Sequence, residues 1–335
     1  MSRGSPTRSF RPAPWLRGPH AQTLGARLLR SRRGVRLRRE RLDTPDGDFL
    51  DLDWADADAT QRAPLCLVLH GLEGSARSKY ALETYRQLRH RGVAAVGLNF
   101  RSCSGVMNRQ PRLYHSGETG DLAFVLDLLR DRARDRPLGV IGFSLGGNVL
   151  LKYLGETGTD DGRRATVDAA AAISVPYDLA AGAEYMERGF ARVYVRRLLR
   201  SLQAKVRAKA ALLRDRIDLA AALAARTWRA FDDAATAPLH GFRDANDYYA
   251  RSSSGPLLPS IRVPTRLIHA LDDPFLPARA VPDAAAAANP HLGWWVEQVG
   301  GHVGFVEGPP WAPRFWGEES AAAFVADRLR MGGGS

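Results

Sequence analysis

The sequence predicts an α/β protein: a mostly parallel central sheet, helices on both faces, and a helical segment inserted into the second half. Three observations predict it. Short apolar runs of about six to eight residues alternate with stretches of helical spacing. One of these runs passes directly through Gly142-Phe143-Ser144-Leu145-Gly146 into a helix. About ninety residues without strand character then separate the fourth core strand from the fifth.

Taken in order, residues 1–37 are rich in Arg, Pro and Gly and read as a basic arm ending in a short helical stretch. Arg38–Trp54 alternates around Thr44-Pro45-Asp46-Gly47, a hairpin turn between two strands. Pro64–His70 is a buried strand, Ser78–Arg91 a helix, and Val93–Phe100 a second buried strand. Thr119–Arg132 carries its apolar residues on one helical stripe. Leu138–Phe143 is a third strand, and a helix starts at once at Leu145. Ala169–Val175, Thr265–Ala270 and Leu292–Val299 supply three more strands, and Glu318–Leu329 a closing helix. In the long gap, Phe190, Tyr194, Leu198, Leu202 and Val206 recur every four residues with arginines between them. That is an amphipathic helix, and a lid over the sheet's carboxyl edge is the natural reading. The expected organisation is therefore an arm (1–37), a first core part (38–176), a helical lid (177–260), a second core part (261–330) and a flexible Gly-Ser tail (331–335).

The 335 residues are 45% hydrophobic and 25% charged, ordinary for a globular chain with a sizeable core. No apolar run reaches membrane-spanning length, and the N-terminus lacks a signal-type apolar region. Cys66 and Cys103 are the only cysteines, so no disulfide framework is implied and a reducing compartment fits. A cytoplasmic protein is expected. No Cys/His spacing suggests a metal site.

The net charge of +12 is uneven. Residues 1–41 hold twelve Arg and one acid, Glu40, and residues 186–230 hold twelve basic side chains against Glu187, Asp215 and Asp218. Solvated faces in an arginine-rich chain account for such blocks. Contact with an anionic membrane surface is the functional alternative. Nucleic acid is not expected as a partner, because neither a nucleic-acid motif nor an interleaved aromatic platform accompanies the charge.

The chemistry centres on Gly142-x-Ser144-x-Gly146. A strand-to-helix turn this tight strains its central residue and tolerates only small neighbours, which is the nucleophile elbow of the α/β-hydrolase fold. A serine hydroxyl needs a base at neutral pH. The fold orders its triad Ser, Asp/Glu, His, and the sequence supplies both partners in that order. Asp272-Asp273-Pro274-Phe275 follows the strand ending near Leu271, and Gly300-Gly301-His302-Val303-Gly304 follows the last strand. Asp273 is favoured as the acid and Asp272 as a loop cap; both stay open. The developing oxyanion needs two backbone donors. These are assigned to the N–H groups of Leu145 and Leu72, with Glu73 the alternative to Leu72. His70 reads as a brace for that loop. No cofactor is needed.

Several segments resemble the YheT-type α/β-hydrolases, related to the ABHD lipase-like proteins and the plant EMB-type members. They are Pro14-Trp15-Leu16-Arg17-Gly18-Pro19-His20-Ala21-Gln22-Thr23-Leu24, His70-Gly71-Leu72-Glu73-Gly74-Ser75 and Asn99-Phe100-Arg101-Ser102-Cys103-Ser104-Gly105. Tyr114-His115-Ser116-Gly117-Glu118-Thr119, the elbow with Asn148, and the stretch from Asp232 through Gly241-Phe242 to Asp247-Tyr248-Tyr249 extend the match, as do the Asp pair and the His302 loop. Ser102 departs from the pattern, where glycine is expected. The resemblance supports Asp273 as the acid. It implies a serine carboxylic-ester hydrolase acting on short- to medium-chain acyl esters, acylglycerols or phospholipids. The same triad serves a thioesterase, an amidase or an acyltransferase; a peripheral-membrane interaction module is the remaining alternative. His20 and His115 are read as structural.

Overall fold

A computed structural model describes residues 9–55, 63–133, 136–159, 166–282 and 288–332. Its centre is an eight-stranded sheet. The strands are β1 (Leu37–Asp43), β2 (Phe49–Ala55), β3 (Leu65–Leu69), β4 (Ala94–Asn99), β5 (Leu138–Phe143), β6 (Ala169–Ile173), β7 (Thr265–Ala270) and β8 (Leu292–Glu297), in spatial order β1-β2-β4-β3-β5-β6-β7-β8. From β4 to β8 every pairing is parallel, while β1–β2 and β2–β4 are antiparallel. The expected α/β class with a mostly parallel sheet is what the chain adopts.

Sequence explains why these strands sit in the middle. Leu65-Cys66-Leu67-Val68-Leu69 is buried at every position, as a strand covered on both faces must be. The hairpin turns at Thr44–Gly47, with Gly47 at φ 77°. Buried Asp51 and Asp53 on β2 pair with Arg41 and Arg39 on β1.

Helices α2 (Lys79–His90) and α12 (Trp316–Gly332) share one core cluster on one face, with Leu82, Tyr85, Leu88, Val325 and Leu329 buried. On the opposite face, α3 (Gly120–Arg132) and α4 (Leu145–Thr159) bury Leu122, Leu126, Val149 and Leu150. α12 runs past the position where a tail was expected to begin; residues 333–335 lie outside the described residues.

Between β6 and β7 stand only helices: α5 (Leu179–Met186), α6 (Ala191–Ala208), α7 (Ala210–Leu213), α8 (Leu219–Ala224), α9 (Trp228–Phe231), a π-turn at Asp232–Thr236, α10 (Ala237–Leu239), α11 (Ala245–Ser252) and a 3₁₀ turn at Gly255–Ser260. They carry their own core, built on Val195, Leu199, Leu202, Trp228 and Phe231. Among the described residues no helix is long and apolar enough to cross a membrane.

The N-terminal segment, read from sequence as a basic arm ending in a short helical stretch, is described from residue 9 onward. Helix α1 (Pro19–Leu29) packs on the body of the protein, and Ala13 and Ala26 share a small core with Val306 and Phe315. Arg30 is 3% exposed and bonds the buried carboxylate of Glu318 at 2.6 Å. A cation so placed needs an internal partner, so this end of the segment is fixed in the core.

Candidate active site

Strand β5 runs into α4 at Ser144, whose φ of 51° lies in the left-handed region. Holding a non-glycine residue there stores roughly 1–3 kcal/mol of strain. The flanking glycines are sterically required. A Cβ on Gly142 would lie 2.6 Å from the Gly146 carbonyl oxygen, and one on Gly146 would lie 2.5 Å from the His70 carbonyl oxygen.

His302 sits in the loop after β8. Its Nε2 is 3.0 Å from Ser144 Oγ, and its Nδ1 is 2.8 and 3.1 Å from the two carboxylate oxygens of Asp273. An ionised carboxylate only accepts, so the proton belongs on Nδ1 and the Nε2 lone pair faces the serine hydroxyl. Asp273 is buried and also accepts the Phe275 N–H at 2.7 Å. The Phe275 ring stacks on the imidazole at 3.9 Å. Asp272 turns the other way and accepts the Gly301 N–H at 2.8 Å, while burial raises its carboxyl above the usual range. The structure thus brings Ser144, Asp273 and His302 together and gives Asp272 to the backbone of the histidine loop.

That loop is held from a direction the sequence did not disclose. Thr23 Oγ donates to the Pro19 carbonyl at 2.7 Å and accepts the His302 N–H at 2.9 Å. Gln22, also on α1, accepts the Val306 N–H at 2.8 Å, and Arg30 donates to the Val303 carbonyl at 2.8 Å. Just past β6, Ser174 accepts the Val303 N–H at 2.9 Å. Val303 and Phe305 both have positive φ, so the loop stands in a conformation that needs such outside partners. The available signal was the Pro-His-x-Gln-Thr segment itself, with Gln22 buried on the same helical face as Ala26. His20 binds Tyr194 Oη through Nδ1 at 3.1 Å, joining α1 to α6.

The turn after β3 passes against the nucleophile: a Cβ on Gly71 would lie 3.2 Å from Ser144 Cβ. His70 braces it, with Nδ1 2.8 Å from the Gly71 carbonyl and Nε2 accepting the Phe100 N–H at 3.1 Å; burial lowers its pKa to about 4 and keeps it neutral. Glu73, at φ 54°, donates its N–H to Tyr114 Oη at 2.7 Å. Its amide is therefore occupied. The N–H groups of Leu72 and Leu145 have no protein acceptor among the described residues, and both residues line the cavity beside Ser144. The Glu73 carboxylate in turn accepts from Tyr114 Oη at 2.7 Å, from Lys205 Nζ at 2.6 Å and from the Ser201 hydroxyl, the last two on α6. Sequence reasoning found neither Lys205 nor Tyr114 in this role.

Neither thiol competes as a nucleophile, since burial pushes Cys103 up to about 11 and Cys66 higher still. Ser102 has φ 62°, so the departure from glycine falls where glycine is conformationally favoured; its hydroxyl bonds Asn108 at 2.5 Å.

Ser144 and His302 open into a cavity of about 560 Å³, within the range of roughly 300–1,000 Å³ usual for small-ligand sites. Its wall under the helical insertion is apolar, from Met186, Leu198, Leu202, Ile217 and Phe231. A polar part of the lining holds His115 and His240, ring to ring at 4.5 Å, and Asp232. Burial lowers His115 to about 3 and His240 to about 2, so both are neutral.

Residues 64–309 match the family described as alpha/beta hydrolase fold. The YheT protein of Escherichia coli, which carries the name of an esterase, is 41% identical over 300 residues, 89% of this chain and 87% of that one. A mouse protein named phospholipase ABHD3 is 32% identical over 310 residues, covering 90% and 74% of the two chains. Among solved structures, the Pyrococcus furiosus esterase Pf2001 superposes with a TM-score of 0.56 at 17% identity, over 89% of this chain and 91% of that one.

Proposed function

Because the chain belongs to the alpha/beta hydrolase fold family, we propose that it hydrolyses carboxylic esters of short- to medium-chain acyl groups through an acyl-enzyme on Ser144. The enzyme is esterase- or lipase-like by kinship. The observation that carries the mechanism is the unbroken hydrogen-bond chain from Ser144 through His302 to Asp273, beside two unoccupied backbone donors.

In this reading His302 Nε2 takes the Ser144 proton as Oγ attacks the ester carbonyl. Asp273 holds the imidazole tautomer and stabilises the imidazolium. The Leu72 and Leu145 N–H groups receive the oxyanion. The imidazolium then protonates the leaving alcohol, and water, deprotonated by His302, releases the acid. The names of the relatives, esterase and phospholipase, favour an oxygen ester. The apolar wall under residues 177–260 favours an acyl chain there, with the insertion acting as a lid.

A panel of p-nitrophenyl esters of graded chain length, combined with fluorophosphonate labelling, tests the reading. Hydrolysis with stoichiometric labelling of Ser144 is expected. Inactivity across the panel with no labelling would overturn it.

A further inference from the structure

We propose that the rim of the cavity, formed by α1, the loop from Ser31 to Arg36 and the first half of α6, is a docking face for an anionic phospholipid surface. The ester-hydrolase reading explains only why such a face would surround this cavity.

The arginines within residues 9–41 do not all serve the same purpose. Arg30, Arg39 and Arg41 are tied to Glu318, Asp53 and Asp51 and belong to the fold. Arg27 and Arg32 are exposed at the cavity rim, as is Arg197 of α6, and none of the three pairs with a carboxylate among the described residues. Neither α1 nor α6 contains an acidic residue. Charge so collected is not balanced locally, and it attracts an anionic surface.

Apolar side chains stand among these cations. Leu28 is 76% exposed and Val193 53%, and Leu24 is exposed on the turn of α1 before Leu28. An isolated exposed leucine needs no explanation. Leu24 and Leu28 at the opening and Val193 one turn before Arg197, set among arginines with no carboxylate partner among the described residues, form the pattern of a helix that lies in a membrane interface. Leu24, Leu28 and Val193 are aliphatic, and the ring of the half-exposed Phe190 beside them already packs against His20 and Tyr194, so the face presents no row of free rings for bases, which favours lipid over nucleic acid.

The face is also preset. Lys79 Nζ donates to the Leu28 carbonyl at 2.9 Å, and Arg86 Nη2 donates to the Ser31 carbonyl at 2.6 Å, so α2 anchors the inner side of α1 and its loop. The His20 ring meets Phe190 at 4.5 Å, which joins the two helices across the rim. Contact with lipid therefore costs little ordering of the face and sets the cavity mouth against the surface.

Sedimentation with vesicles of phosphatidylglycerol and phosphatidylcholine, against phosphatidylcholine alone, tests the proposal on the full chain. Binding that requires phosphatidylglycerol and weakens with salt is expected. The double variants Leu24→Ser/Leu28→Ser and Arg27→Glu/Arg197→Glu should each bind about tenfold more weakly or worse, with circular dichroism and the thermal midpoint confirming that they fold. Ser144→Ala should bind as the wild type does, which separates docking from hydrolysis. No phosphatidylglycerol-dependent binding, unchanged binding in both folded double variants, or tighter binding to duplex DNA than to the vesicles would overturn it.

Discussion

The side-chain oxygen of Thr23 accepts the backbone N–H of His302 at 2.9 Å, although 279 positions separate the two residues in sequence. A helix near the start of the chain therefore holds the imidazole that faces Ser144. Misplacing a reacting group by about 1 Å can lower a rate about a hundredfold. Thr23→Val, which keeps shape and removes the acceptor, should lower kcat by about ten- to a hundredfold with KM little changed. Thr23→Ser should restore most of it. Steady-state kinetics on a short ester checks this, and equal rates for Val and Ser variants would refute it.

The two adjacent aspartates should separate cleanly. Asp273→Asn keeps the geometry but presents the wrong partner to Nδ1, and should reduce kcat by roughly four orders of magnitude. Asp272→Asn, which keeps an oxygen for the backbone N–H groups of the histidine loop, should reduce it less than about tenfold. Comparable losses in both variants would remove Asp273 from the role assigned to it.

Lys205 ties α6 to the turn that carries Leu72, through the Glu73 carboxylate. Loss of a single oxyanion donor costs about a hundred- to a thousandfold in kcat, and a loosened donor should cost part of that. Lys205→Met should lower kcat by about ten- to a hundredfold. It also leaves the Glu73 carboxylate without its cation, so the thermal midpoint should fall. A variant with wild-type kcat would show that Lys205 does not hold the turn.

Asp232 predicts a pH effect on stability. Burial raises its pKa to about 6, while hydrogen bonds from Thr236 and Tyr249 only partly oppose this. A folded pKa above the unfolded one means that the folded state binds the proton more tightly. The stabilisation is complete below the unfolded value near 4 and is lost as pH rises through about 6. Asp232→Asn should remove that dependence, gaining in thermal midpoint over wild type between pH 5 and pH 8. Parallel curves for the two proteins would exclude Asp232 as the source.

Much of the fold was legible because its signals are local. Alternating apolar runs and helical spacing report which faces are buried, and neighbouring residues carry that information together. The elbow was legible for the same reason, since the strain at Ser144 is relieved by its own glycine neighbours. The order of Ser144, the Asp pair and His302 along the chain followed from the fold those signals imply.

Other features depend on where distant segments meet. Asp272 and Asp273 are chemically identical neighbours, and what distinguishes them is which one reaches His302 and which the Gly301 N–H. Leu72 and Glu73 differ as donors because Tyr114 occupies one amide and not the other. Composition made residues 1–37 a basic arm, whereas Arg30, Gln22 and Thr23 tie the described part to the histidine loop and to Glu318. Sequence by itself determined the sheet, the elbow and the order of the triad, because periodicity and backbone strain act between adjacent residues. Tertiary structure decided which aspartate lies against His302, which amide is left open beside Ser144 and which helix braces the histidine loop, because hydrogen bonds are chosen by distance in space.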